Sequence, residues 1–304
     1  MKLILANNHT EQFTDFYESL RRESNDAFRY GAYVDLLFLF GTAQDKPVQL
    51  YDVASDTWLH EYDGVYINGY LNTYELAAAV ATCCDAEGVP FVNQELKNAP
   101  SLSKLTGYAK LAAAGVPIPP TITGSKQAML RVPAQLLDRV RFPAILKRAD
   151  ADRGIDNFKV RDFAEAQSLL EPFPDTSLWV LQDFIPNDGF YLVTFYDGKP
   201  VYGIYRTLEK RPDGNEQKAH MFKPKGGANA TLLEVEAIPQ QVVTTAQRAI
   251  SAMNRQIGSV DCLYDADSQA SYVLEVNYNP QLVTIETFKE RRKQAFLEGI
   301  QQIR

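Results

Sequence analysis

Towards its C-terminus the chain places acids inside two runs that are otherwise apolar. These are Val260-Asp261-Cys262-Leu263-Tyr264 and Tyr272-Val273-Leu274-Glu275-Val276-Asn277-Tyr278-Asn279-Pro280, with a turn over Asp265 to Ser271 between them. Side chains alternate along a strand, so Glu275 and Asn277 leave one face while Leu274 and Val276 leave the other. A simple hairpin that pairs Tyr264 with Tyr272 sets Asp261 opposite Glu275. Like charges facing each other across a sheet are destabilising unless something positive sits between them. Two carboxylates and an amide oxygen converging on one point suit a hard cation such as Mg²⁺, with phosphate and water completing the octahedron. An isolated Glu-x-Asn usually marks a solvent-facing polar strand; the apolar setting here favours the metal site.

Such an ion acts with phosphate, so cationic donors are the next requirement. Lys147 ends the apolar run Phe142-Pro143-Ala144-Ile145-Leu146 and leads into Asp150-Ala151-Asp152-Arg153-Gly154-Ile155. That is a short loop of the kind whose backbone N–H groups cover phosphates. A lysine at a strand end is otherwise an ordinary solvated terminus. Lys104, early in a helix that Ser101 can cap, is a second donor of the same sort. Trp179-Val180-Leu181-Gln182-Asp183-Phe184-Ile185 ends a strand at a junction, followed by Pro186-Asn187-Asp188-Gly189. An apolar slot with backbone groups there fits a purine ring, and a buried core strand is the compatible alternative.

With 304 residues, 45% apolar and 23% charged, the chain is expected to form two or three compact units. The first hundred residues alternate short apolar runs with amphipathic stretches, the pattern of an α/β layer. Leu3 to Ala6, Val34 to Phe40, Gly64 to Asn68 and Val89 to Val92 read as strands. Thr10 to Glu23 reads as a helix. A second helix, capped by Asn72 or Thr73 and ended by Gly88, carries the stripe Leu76, Val80 and Cys84, which makes Cys84 a core residue rather than a nucleophile. The Ser101 helix leaves through Gly115 and the stiff run Val116 to Thr121, whose prolines cannot donate ladder bonds. Phe142 to Lys147, Asp162 to Leu170 and Leu178 to Ile185 read as strand, helix and strand. Tyr191 to Tyr196 and Val201 to Thr207 flank a turn at Asp197-Gly198, and Arg211 to Asn229 is a polar loop. A helix over Gln240 to Gln256 precedes the hairpin, and a last helix starts near Glu286.

Thirty-one basic against 38 acidic residues give a net charge of -7, which excludes a general nucleic-acid-coating role. Three cysteines without a Cys-x-x-Cys spacing form neither a disulfide framework nor a metal knuckle, and fit a reducing cytoplasm. No run approaches the ~20 apolar residues of a membrane span. The N-terminal apolar run stops at Asn7, too short for a signal-peptide core.

With these residues in place, the chain resembles the ATP-grasp ligases, and among them the RimK-like branch that neighbours glutathione synthetase. The likeness runs from about Ser101 to the C-terminus, and the first hundred residues resemble the family's preceding α/β domain in topology only. Ser103-Lys104-Leu105 with Ala113-Ala114-Gly115-Val116-Pro117 is similar to the family's lysine helix and its exit. Phe142 to Lys147 is similar to its phosphate-lysine strand, and Gln182 to Ile185 to its adenine hinge. The Asp-to-Glu-x-Asn-x-Asn-Pro ending is the specific motif. The implied fold is an α/β domain (1–100) followed by two α+β subdomains that clasp ATP (101–185 and 186–304). The implied site puts Lys104 and Lys147 on phosphates, Arg153 and Gly154 in the small loop, and Gln182, Asp183, Phe184 and Ile185 around adenine. Asp188 would hold the ribose, Arg206 would sit by the reacting phosphate, and Asp261, Glu275 and Asn277 would hold Mg²⁺, or Mn²⁺ in its place.

The chain departs from the family in several places. Its small loop keeps only Gly154 and adds Asp150, Asp152 and Asp156, with Arg153 to offset them. Asp188 lacks the arginine that usually follows closely. His220-Met221-Phe222-Lys223-Pro224-Lys225-Gly226-Gly227 replaces the Phe-Arg-x-Asn element before paired glycines. What the resemblance implies is ADP-forming amide synthesis through an acyl phosphate, from a small-molecule or peptide carboxylate and an amine. The alternatives are a ligase that crosslinks side chains of ribosomal peptides and a nucleotide-binding module without turnover. Substrate contacts are expected on the strand-end loops, at Asn8, His9 and Asn68, and at His220, Lys225 and Asn279. The partners are small molecules or peptides, not nucleic acid or membrane, and a homodimer or homotetramer is compatible with this class.

Overall fold

The computed structural model describes residues 1–5, 28–41, 46–67, 73–99, 103–149, 156–196, 198–207, 230–255 and 257–277. The expected helices over 10–23 and from 286, the Ser101 cap and the loop 211–229 lie outside them. Two units divide the chain, Met1–Ala113 with Pro120–Phe184, and Ala114–Pro119 with Ile185–Arg304.

In the first unit, Lys2–Leu5 (β1), Phe28–Gly31 (β2), Leu36–Phe40 (β3), Val48–Asp52 (β4), Thr57–Trp58 (β5), Gly64–Ile67 (β6) and Phe91–Val92 (β7) supply the early strands. β1, β2, β6 and β7 form a parallel sheet in the order β2-β1-β6-β7. Helix Tyr74–Glu87 (α1) lies against both β4 and β6, one from each sheet of this unit. Flanked on two sides, it buries nine consecutive residues, Leu76 to Cys84, rather than a single stripe. Cys84 is in the core as expected, Cys83 joins it, and burial pushes both thiols up. Gly88 closes the helix with φ 70, a left-handed conformation that a side chain would oppose.

Helix Lys104–Ala113 (α2) follows, then Thr121–Ser125 (β8), the short helices Lys126–Met129 (α3) and Ala134–Leu137 (α4), Ala144–Arg148 (β9), Asn157–Val160 (β10), Phe163–Leu170 (α5) and Leu178–Asp183 (β11). The second sheet runs β10-β9-β11-β8-β3-β4-β5. It therefore crosses the boundary expected at residue 100, because β3, Leu-Leu-Phe-Leu-Phe, is buried along its whole length and pairs antiparallel with β4 on one side and β8 on the other. On one face Leu37, Leu39, Ile122, Leu146 and Leu181 pack with Met129 of α3, Leu136 of α4 and Leu170 of α5. Ser125 and Asp162 cap α3 and α5 by accepting from the N–H of Ala128 and Glu165.

In the second unit, Gly189–Tyr196 (β12), Lys199–Thr207 (β13), Ala230–Leu233 (β14), Gly258–Asp265 (β15) and Ala270–Asn277 (β16) form an antiparallel sheet in the order β14-β13-β12-β15-β16. Helix Gln240–Ala252 (α6) lies against β15 and β16. Its buried residues, Val242, Thr245, Ala246, Ala249 and Ile250, recur at helical spacing. It stops short of Gln256 because Asn254 turns left-handed, with φ 49, and the Arg255 N–H bonds the Ile250 carbonyl. The proline-rich segment donates little, but it accepts: Val273 N–H bonds the Pro117 carbonyl at 2.9 Å and Arg248 the Gly115 carbonyl at 2.6 Å. Among the described residues no helix is long and apolar enough to cross a membrane.

Candidate nucleotide and metal site

Each unit carries a polar cluster that includes expected site residues. In the first, the register sets Lys147 opposite Val180 and Ile145 opposite Gln182, so Lys147 and Gln182 share the face opposite the Leu146–Leu181 core. Lys147 is buried, and its ammonium donates to the Tyr108 hydroxyl at 2.8 Å and to Gln182 Oε1 at 2.9 Å. Gln182 Nε2 in turn donates to Thr121 Oγ1 at 2.8 Å, which fixes which end of the amide meets the lysine. The same ammonium lies 5.4 Å from the Tyr108 ring centroid.

Asp183, next in sequence, points the other way. Its buried carboxylate accepts from the Arg141 backbone N–H at 2.7 Å and from Arg141 Nε at 2.8 Å. Its own N–H is held by the Pro120 carbonyl. Phe184 carries Lys159 Nζ 4.1 Å from its ring centroid. Lys104 opens α2, its backbone N–H against the Ala149 carbonyl at 3.4 Å. The helix start is held by Glu75 of α1, whose Oε1 accepts from Ser103 N–H at 3.0 Å, from the Ser103 hydroxyl at 2.5 Å and from the Thr106 hydroxyl. Ser103 Oγ takes the Leu105 N–H, the capping role expected of Ser101. Asp156, at the edge of the acidic small loop, is paired with Arg148 at 3.2 Å. Arg153 and Gly154 lie outside the described residues.

In the second unit Asp261 and Glu275 face each other directly across β15 and β16. The expected register arises differently, however. Tyr264 pairs with Ser271, not Tyr272, and a bulge beside Asp261 lets Cys262 pair with Val273, leaving Leu274 as the extra residue. Burial follows: Ser271, Val273 and Val276 are buried, while Leu274 is only partly so. Leu274 does not share the buried face with Val276 as simple alternation would require.

The Asp261 carboxyl is raised to about 7, first by burial and second by the Glu275 charge, with Arg206 and the Asn277 hydrogen bond opposing. Its Oδ1 is buried without a hydrogen-bond partner. A buried carboxylate oxygen left without a donor, facing a second carboxylate and beside an amide, is a donor set that a divalent cation fits. Arg206 of β13 is half-buried; burial pulls its guanidinium down and Asp261 pushes it back up. Asp188 is exposed; burial raises the nearby Tyr205 phenol, and the Asp188 charge adds to that. Ile185 gives its carbonyl to Asn187 at 2.6 Å.

Asn8, His9, Asn68, His220, Lys225 and Asn279 lie outside the described residues. Tyr108, Thr121 and Glu75 were not singled out from the sequence. In the sequence Tyr108 stands among the apolar residues of the helix that leaves through Gly115, one turn after Lys104.

A family model described as the RimK-like ATP-grasp domain matches residues 102–294, more than half of the chain. A probable alpha-L-glutamate ligase of Haemophilus influenzae is 25% identical over 233 residues, covering 75% of this chain and 72% of that protein. Among solved structures, a D-cycloserine synthetase superposes with a TM-score of 0.50 at 19% identity, over 98% of this chain and 99% of that one. A D-alanine–D-alanine ligase from Bacillus anthracis gives 0.50 at 16% identity, over 98% and 93%. The structural likenesses establish a shared α+β fold, and the family match establishes descent: the chain belongs to the RimK-like ATP-grasp family of ligases.

Proposed function

We propose that this protein joins a carboxylate to an amine at the expense of ATP, releasing ADP and phosphate through an acyl phosphate. The observation that carries this is the buried Asp261 facing Glu275, with an orphaned carboxylate oxygen and Asn277 beside it. Asp261, Glu275 and Asn277 would hold Mg²⁺, which would supply positive charge to screen the triphosphate. Lys147 donates to a phosphate oxygen, and the amide of Gln182 keeps its ammonium in place. Arg206 stabilises charge on the transferring group. No side-chain nucleophile is needed, which agrees with the buried, inert thiols of Cys83, Cys84 and Cys262.

The glutamate-ligase relative makes an amino acid or an acidic peptide the first substrate class to try. Incubation with Mg-ATP and pooled amino acids or short acidic peptides is expected to release ADP and produce a mass gain equal to an acceptor residue. In Glu275→Gln both are expected to disappear while circular dichroism stays unchanged. Undiminished ADP release in that variant would remove the metal assignment. The pairing of Asp156 with Arg148 favours turnover over a silent binding module, because it offsets one of the loop acids.

A further inference from the structure

We propose that Thr194 and Ser259 are positioning residues for the divalent cation: their hydroxyls accept from water that the ion retains, and so hold it against Asp261, Glu275 and Asn277. The inference rests on the reading of those three as metal ligands. Strand geometry supplies the placement. Thr194 of β12 pairs with Ser259 of β15, which pairs in turn with Asn277 of β16. Residues directly opposite each other share a face, so the three form one row. Asp261 lies two residues from Ser259, and Glu275 two from Asn277, so both carboxylates belong to the next row on the same face. The opposite face belongs to α6. A Cβ at Gly258 would lie 3.0 Å from Ile250 of that helix, so Gly258 and Val260 face the helix while Ser259 and Asp261 face away from it.

Thr194 and Ser259 are each 1% exposed. Their hydroxyl oxygens, like Asp261 Oδ1, are buried with no hydrogen-bond partner among the described residues. A buried hydroxyl without a partner is destabilising, and an apolar residue of similar size would remove that cost. Leu192, Tyr202 and Ile204, on the same face, form an apolar cluster. The two hydroxyls therefore stand where that cluster gives way to the carboxylates. Mg²⁺ gives up its hydration reluctantly and keeps several waters beside one or two carboxylates. A hydroxyl oxygen has lone pairs to offer such a water, and outer partners of this kind fix the groups they touch. Being neutral, they add acceptors without adding to the charge of Asp261 and Glu275.

The test is Thr194→Val, which keeps the shape and removes the hydroxyl, together with Ser259→Ala and with Thr194→Ser, which keeps a hydroxyl. Mn²⁺ is titrated in the presence of ADP, with the free ion read by electron paramagnetic resonance, and thermal unfolding is followed in EDTA. Thr194→Val and Ser259→Ala are each expected to weaken Mn²⁺ about tenfold, and Thr194→Ser to keep wild-type affinity. Without metal, Thr194→Val should raise the thermal midpoint by about 2–4 °C, because an unsatisfied group is gone, and Ser259→Ala should lose nothing. A hydrogen bond between Thr194 and Ser259 that serves the fold alone predicts the reverse: both variants lose metal-free stability and bind Mn²⁺ as wild type does. Either of those results overturns the inference. So does a Thr194→Ser variant as weak as Thr194→Val, since the methyl group would then be what matters. Should Thr194→Val not fold, Ser259→Ala decides by the same two readings. Glu275→Gln runs alongside. If it binds Mn²⁺ as wild type does, the metal assignment fails and the inference falls with it; if it alone loses the ion, the assignment stands and only the role of the hydroxyls fails.

Discussion

Replacing Asp261 with asparagine should make the metal-free protein more stable while abolishing turnover. The carboxyl is raised from 3.8 to about 7 in the folded protein, first by burial and then by Glu275. At 1.36 kcal/mol per pKa unit, holding it ionised costs about 4 kcal/mol. The sign follows from proton counting. The unfolded chain releases this proton near pH 4 and the folded chain near pH 7, so between them the native state binds more protons and loses stability as pH rises. Above pH 7 the penalty is nearly complete; at pH 5 somewhat over a third of it is already present, and it disappears only below pH 4. Asparagine has the same shape and no charge, but its amide N–H₂ replaces an oxygen in a buried place, a cost of roughly 1 kcal/mol. The net expectation is a gain of about 3 kcal/mol at pH 8 that falls below about 1 kcal/mol at pH 5.

Urea unfolding in EDTA at both pH values reads this directly. Glu87, whose carboxyl burial also raises to about 7, contributes to both proteins alike and drops out of the difference. A variant no more stable than wild type at pH 8, or one with the same gain at pH 5, would refute the account of Asp261 as a strained, buried anion. Adding Mg²⁺ and ADP should then stabilise wild type and leave the variant unmoved.

Two further substitutions probe the supports of the site. Glu75→Ala removes the acceptor of the Ser103 and Thr106 donors, and is expected to cost about 2–3 kcal/mol in urea unfolding with an unchanged m-value. Gly189→Ala sets a methyl carbon 2.3 Å from the Arg206 carbonyl oxygen and 2.8 Å from the Tyr205 ring and hydroxyl, so β12 and β13 must separate at their end. A loss of about 1–3 kcal/mol is expected, with ADP-forming activity reduced beyond that because Arg206 moves with its backbone; an alanine variant with wild-type thermal midpoint would show that this end of the hairpin is loose.

Much of the second unit was legible from pattern alone. The stripe of Gln240–Ala252 and the paired runs around Asp261 and Glu275 are periodic, and periodicity survives in any context. The first unit was less so, for physical reasons. Ala77, Ala78, Ala79 and Ala81 are small enough to be indifferent to pattern, so nothing in sequence announces that α1 is covered on two sides. Gln182 and Asp183 read as one hinge element, yet strand alternation sends one to Lys147 and the other to Arg141. The alternation was available; the identity of partners 35 and 42 residues away was not. Tyr108 is the same case, since only the approach of α2 to the Lys147 face turns a core tyrosine into a hydrogen-bond acceptor.

The carboxylate hairpin shows how a correct pairing can rest on an incomplete reason. Counting back from a Tyr264–Tyr272 pair puts Asp261 against Glu275, and they do face each other. The turn, however, is one residue out of that register, and without a correction Asp261 would meet Leu274, with both acids turned to opposite faces. The extra residue at Leu274 restores the alignment at the one place where two like charges are brought together. A bulge unpairs ladder groups and bends the strand; here it also produces a repulsive pair that a register without it would avoid. Stability alone favours the slipped, charge-separated hairpin, so the arrangement makes physical sense when a cation between Asp261 and Glu275 reverses the sign of their interaction.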